Sequence, residues 1–129
     1  MNFPEDLQYT RDHEWARVQG NRVTVGITDF AQDQLGDVVY VEFPDVGDVI
    51  KKGDAFGVVE STKAVSDLFA PVSGKVVEVN GPLADAPETV NEDPYEEGWM
   101  IVVEISDPKE LAELMDAPTY RKFVEEEQE

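Results

Sequence analysis

From Val38 to Val79 the sequence is a series of short β-branched and apolar runs broken by turn-forming residues. Val38–Phe43 is followed by Pro44-Asp45 and Gly47-Asp48. Gly53-Asp54 then leads into Ala55–Glu60, and Val65–Ala70 is followed by Pro71 and Ser73-Gly74 before Lys75–Val79. Strands of this length and spacing predict a small β-sandwich or barrel. Between Ala55–Glu60 and Val65–Ala70 lies a short polar step, Ser61-Thr62-Lys63, which sets Lys63 where the chain reverses. A lysine at a hairpin tip holds its amine in water, within reach of a modifying enzyme.

The flanks supply the remaining elements. Met1–Gln8 is polar with one proline and is expected as an extended arm. Tyr9–Val18 follows as a strand with Trp15 and Val18 in the core, and Arg22–Ile27 returns from a turn at Gln19-Gly20-Asn21. Asp29 is placed to cap a short helix, with Gln32 completing a capping box and Gly36 at the end, so that Phe30, Ala31 and Leu35 face inward. Asn80–Gly98, which contains Pro82, Pro87 and Pro94, is expected as a surface connection with a helical turn near Ala86–Val90. Trp99–Ile105 is an apolar strand whose tryptophan belongs in the core. Asp107 then caps a helix with Pro108 first and Glu110 third, burying Leu111, Leu114 and Met115. Asp116 opens another on which Tyr120, Phe123 and Val124 share a face, and Glu125–Glu129 forms a solvated tail.

Composition narrows the function. A chain of 129 residues with 41% hydrophobic content has enough apolar material for a single core. A net charge of -19, with only 10 Lys and Arg, argues against nucleic acid and favours basic partner surfaces. With no cysteine, any redox chemistry must come from an attached group, and His13, the one histidine, is expected as a packed structural residue rather than a zinc ligand. The first residues carry neither a basic nor an apolar leader segment, and no run approaches bilayer length, so the expected location is the cytoplasm with no membrane contact.

The block Glu60-Ser61-Thr62-Lys63-Ala64-Val65-Ser66-Asp67 is similar to the lipoyl-lysine site of the glycine cleavage system H protein family. The similarity extends through Tyr9-Thr10, His13-Glu14-Trp15, Val25–Asp29, Leu35–Val39, Val90–Tyr95 and Gly98-Trp99. Thr62 stands where that family commonly has valine, a departure that retains β-branching. Biotin carriers typically have Met-Lys-Met instead, and lipoyl domains of 2-oxoacid dehydrogenases usually have an aspartate before the lysine.

The resemblance implies a mainly β, lipoyl-type barrel-sandwich hybrid (a flattened β-barrel) with an N-terminal hairpin, a short helix and C-terminal helices. Residues 1–129 would form a single lipoyl-carrier domain, with a lipoyl-like core at about 23–105 and a helical segment at about 107–127. The similarity of Gly47-Asp48-Val49 to Gly74-Lys75-Val76 agrees with a quasi-twofold arrangement about Lys63.

By the same resemblance Lys63 would carry covalent lipoate, and the protein would be a carrier rather than an enzyme. Its partners would be a pyridoxal-phosphate glycine decarboxylase, a tetrahydrofolate-dependent aminomethyltransferase, a flavin-containing dihydrolipoamide dehydrogenase, and a lipoate ligase or octanoyl/lipoyl transferase. Glu14 and Asp67 match acidic positions that would face the loaded arm, or they are ordinary surface charges. Glu60 and Asp67 are alternatively placed for recognition by the lipoylating enzyme. A lipoyl-relay module, another lipoyl carrier or an unmodified acidic interaction domain are the competing readings.

Overall fold

In a computed structural model, which describes residues 1–127, the alternation of apolar and polar residues produces nine strands in two antiparallel sheets. The strands are β1 (Gln8–Tyr9), β2 (Glu14–Gln19), β3 (Arg22–Ile27), β4 (Val38–Glu42), β5 (Val49–Ile50), β6 (Ala55–Ser61), β7 (Val65–Phe69), β8 (Gly74–Val79) and β9 (Ile101–Ile105). One sheet has the order β1-β2-β3-β9-β8-β5 and the other β4-β6-β7. The two face each other across a shared core without closing, which is the sandwich form of the expected mainly β barrel-sandwich hybrid.

Val23, Val25, Val76, Ile101 and Val103 of the larger sheet meet Val41, Phe56, Val59 and Leu68 of the smaller one in that core. Burying side chains of this size contributes about 1.5–3 kcal/mol each. A second cluster joins Phe3, Leu7, Tyr9, Trp15, Phe30, Tyr95, Ala117, Tyr120 and Val124. The pleat of β2 serves both, because consecutive strand residues face opposite ways: Trp15 enters the second cluster and Ala16 the first. Gly26 lies opposite Trp15, and a Cβ there would stand 2.6 Å from the indole ring, so only glycine admits the tryptophan.

Several expectations are corrected. The N-terminal residues are not a loose arm, since Phe3 and Leu7 are buried and Tyr9 stacks on Tyr120 at 4.6 Å between ring centroids. Val18 is 36% exposed, near the end of β2 beyond the core, and Ala16 takes the buried place. The first helix, α1 (Asp29–Leu35), is capped by Thr28, whose hydroxyl accepts from the Ala31 N–H, rather than by Asp29. Gln32 donates to the Asp29 side chain instead of closing a capping box.

The Asn80–Gly98 connection is not merely superficial. It forms α2 (Pro82–Asp85) and α3 (Thr89–Glu92), which bury Leu83 and Val90. The turn capped by Asp107 is a 3-10 helix over Pro108–Glu113 with no fully buried residue, and Leu111, Leu114 and Met115 are only partly covered. The last helix, α4 (Ala117–Glu127), buries Tyr120 and Val124 and continues through Glu125–Glu127, which are exposed but helical; the rest of the expected tail lies outside the described residues. No helix among the described residues is long and apolar enough to cross a membrane.

The two similar segments pair with each other, Val49 opposite Lys75 and Ile50 opposite Gly74.

Candidate functional site

The β6–β7 hairpin closes through a turn from Ser61 to Ala64, in which the Ser61 N–H donates to the Ala64 carbonyl at 2.8 Å. The Ser61 hydroxyl accepts from the N–H groups of Lys63 (3.3 Å) and Ala64 (3.0 Å), giving the tip the local polar contacts that stiffen a turn without glycine. Lys63 is exposed at this tip, as the polar step predicts.

The turn is also tied from below. The Thr62 N–H donates to the Asp37 carbonyl, and the Lys63 side chain lies over Gly36, where a Cβ would stand 3.3 Å from its Cε. Asn91 on α3 holds this floor. Its amide donates to the Gly36 carbonyl (2.9 Å) and to the Gln32 side chain (3.0 Å), while its oxygen accepts from the Val38 N–H (2.8 Å). The roles of Gly36 and Asn91 are not visible in the sequence, where the glycine is only a helix stop and the asparagine one residue of a polar connection.

Beside the hairpin, a cleft of about 190 Å³ runs between α1 and β6–β7 to the start of β2. Phe30, Ala31, Leu35, Val59 and Leu68 give it apolar walls, and Asp67 and Glu14 both border it. Glu14 is only 2% exposed, so the surface-charge reading of it fails. Its carboxylate accepts from the Thr10 hydroxyl (2.8 Å) and the Phe69 N–H (3.3 Å). Burial pushes its pKa up to about 7 although both hydrogen bonds favour the charged form. At neutral pH this group is divided between acid and carboxylate, and a cation entering the cleft would draw it to the carboxylate.

The four residues singled out from the sequence are thus distributed unequally. Glu14 and Asp67 meet at the cleft, with Asp67 exposed at its border, and Lys63 stands at the tip of the hairpin that forms one wall. Glu60 does not border the cleft. It lies half-buried on β6, opposite Tyr40 and Val65. His13 lines the cleft next to Glu14 but is occupied structurally, with Nδ1 2.8 Å from the Tyr120 hydroxyl and Nε2 2.9 Å from Glu127.

The family profile described as Glycine cleavage H-protein matches residues 7–127. The chain belongs to the glycine cleavage H-protein family. It is 73% identical over 128 residues to the glycine cleavage system H protein of Anaeromyxobacter sp. (strain K), covering 99% of this chain and 100% of that one. The Brevibacillus brevis H protein is 60% identical over 126 residues, at 98% and 100% coverage. The crystal structure of an H protein from Mycobacterium marinum superposes with a TM-score of 0.82 at 42% identity, covering 92% of this chain and 95% of the other. H proteins are non-catalytic, lipoate-bearing carriers of glycine cleavage, and this chain is such a carrier. The carrier takes an aminomethyl group from glycine decarboxylase, the P protein, to the aminomethyltransferase, the T protein. Dihydrolipoamide dehydrogenase, the L protein, then reoxidises it.

Proposed function

We propose that Lys63 is the residue that carries the lipoyl group of this H protein, in amide linkage to Nζ, and that the cleft ending at Glu14 receives the arm. The observation that carries this reading is the exposed Lys63 amine on a turn held from within by Ser61 and from below by Asp37. A rigid base with a free amine suits both attachment by an enzyme and later reach toward several active sites.

The residues present fit the group. The apolar walls of the cleft match a hydrocarbon chain, and one of those walls is the hairpin that carries Lys63. When attached, lipoate supplies the disulfide that a chain without cysteine lacks. As carboxylate, Glu14 would accept a hydrogen bond from an ammonium cargo in the cleft and balance its positive charge, while Phe30, Leu35 and Leu68 would limit the access of water. Asp67 adds a second negative charge at the border. Glu60, half-buried on the same face of the small sheet as Asp67 but outside the cleft, serves recognition by the lipoylating enzyme, a lipoate ligase or an octanoyl/lipoyl transferase. The cytoplasm is the proposed site of this exchange.

Intact mass of protein from a lipoylating host tests the attachment. A lipoyl increment present in the wild type and absent from Lys63→Ala supports it, and an increment that persists in the variant refutes it. No increment in either protein under ample lipoate also defeats the reading.

A further inference from the structure

We propose that the outer face of the β4-β6-β7 sheet is the docking surface for the enzyme that acylates Lys63, and that Val39, Tyr40 and Val65, on either side of Glu60, supply the grip. The proposal rests on Lys63 being the lipoylated residue. Tyr40, Glu60 and Val65 stand in one cross-strand row, and Glu42, Val58 and Asp67 in the next on the same side. Val41 and Val59, between these rows, point the other way into the core. The register slips between Val38 and Tyr40, so Val39 is an extra residue in β4. This bulge turns two consecutive side chains outward, leaving Val39 53% and Tyr40 44% exposed, and across the sheet Val65 is 68% exposed.

Three exposed apolar side chains beside the turn give a partner apolar surface to cover, with Glu60 fixed between two of them. The identity of the partner follows from position and charge. Val65 is two residues from Lys63, at the first cross-strand row below the turn. An enzyme that forms a bond to Nζ must bring its acyl carbonyl to the turn itself, so its contacts abut residue 63. Enzymes acting on the end of a loaded arm work about a dozen Å away and need not touch this row. The strands β4, β6 and β7 contain no Lys or Arg, while Glu42, Glu60 and Asp67 interleave with the apolar side chains. The matching surface therefore sets basic groups among its apolar contacts. For a ligase, lipoate and ATP give lipoyl-adenylate and pyrophosphate; the neutral Lys63 amine then displaces AMP, forming the amide and releasing one proton.

The test uses the full, unlipoylated chain with a purified lipoate–protein ligase, lipoate and ATP, with intact mass as the rate readout. Val39→Thr/Tyr40→Thr/Val65→Thr puts a β-branched residue at all three strand positions, and Val65→Arg sets a cation against the partner's basic groups. Both are expected to lower kcat/KM about tenfold or more, chiefly through KM, with the thermal midpoint retained. After being driven to full lipoylation with excess ligase, both should support exchange of glycine carboxyl carbon with bicarbonate by glycine decarboxylase at the wild-type rate. Unchanged lipoylation kinetics in the triple variant overturn the proposal. So does a fall in the exchange reaction, which assigns the face to the decarboxylase. If Lys63→Ala still gains the lipoyl mass, the attachment reading fails instead, and the docking face is not what was tested.

Discussion

Gly36 has φ 78° and ψ −157°, a combination that side-chain-bearing residues adopt only at a cost of about 1–3 kcal/mol. It also lies directly beneath the Lys63 side chain. Gly36→Ala should therefore lower stability by that order, seen in denaturant unfolding, and slow lipoylation by displacing the lysine, seen by intact mass. Glu14 makes a prediction of a different kind. Its folded pKa of about 7 lies above the ordinary 4.5, so the folded state holds the proton more tightly than the unfolded chain. The stability it contributes is fully present below about pH 4.5 and is lost as the pH rises through about 7. Glu14→Gln has no such proton to lose. Relative to wild type, its stability should rise by on the order of 3 kcal/mol between about pH 4 and pH 8, measured as chemical unfolding at each pH. Of these residues, Lys63 was legible because a polar step between two β-branched runs has a local cause. The burial of Glu14 was not, since one of its two hydrogen-bond partners, the Phe69 N–H of β7, lies 55 residues away in the chain.

Among the elements, α1 shows how local signals and tertiary packing divide the work. Thr28 and Asp29 are both good capping residues, and the sequence alone favoured the second because Gln32 stands three places after it. Tyr120 decides for the first. Its hydroxyl lies 2.8 Å from the Thr28 hydroxyl, which leaves Thr28 to cap while Asp29 accepts from the Asn2 N–H. Thr28→Ala should cost about 1–2 kcal/mol through the lost cap, measured by thermal or denaturant unfolding. The hairpins β2–β3 and β6–β7 were legible from alternation and turn residues, with partners a few residues away. Phe3 and Leu7 were misassigned because the cluster that takes them in draws on β2, α1, Tyr95 and α4, and no local period announces contacts of that range. Val18 was misplaced because alternation gives the face of a strand residue but not whether the core extends that far.

At the scale of the whole molecule, the net charge of -19 fits electrostatic steering toward basic partners as well as solubility. Steering predicts that the second-order rate constant for reaction with a partner falls about tenfold from low to physiological ionic strength, measured by stopped flow or initial rates. Charge serving solubility alone would leave that rate nearly flat.

The shared position of β2, with Trp15 in one cluster and Ala16 in the other, bears on how far the carrier can be pared down. Glu14 leads into this same strand, so excising residues 23–105 as a stand-alone shuttle would discard the acidic end of the channel along with the flanking helix. On the proposed placement of the arm, a graft of that kind would still display Lys63 but leave its cargo in open water.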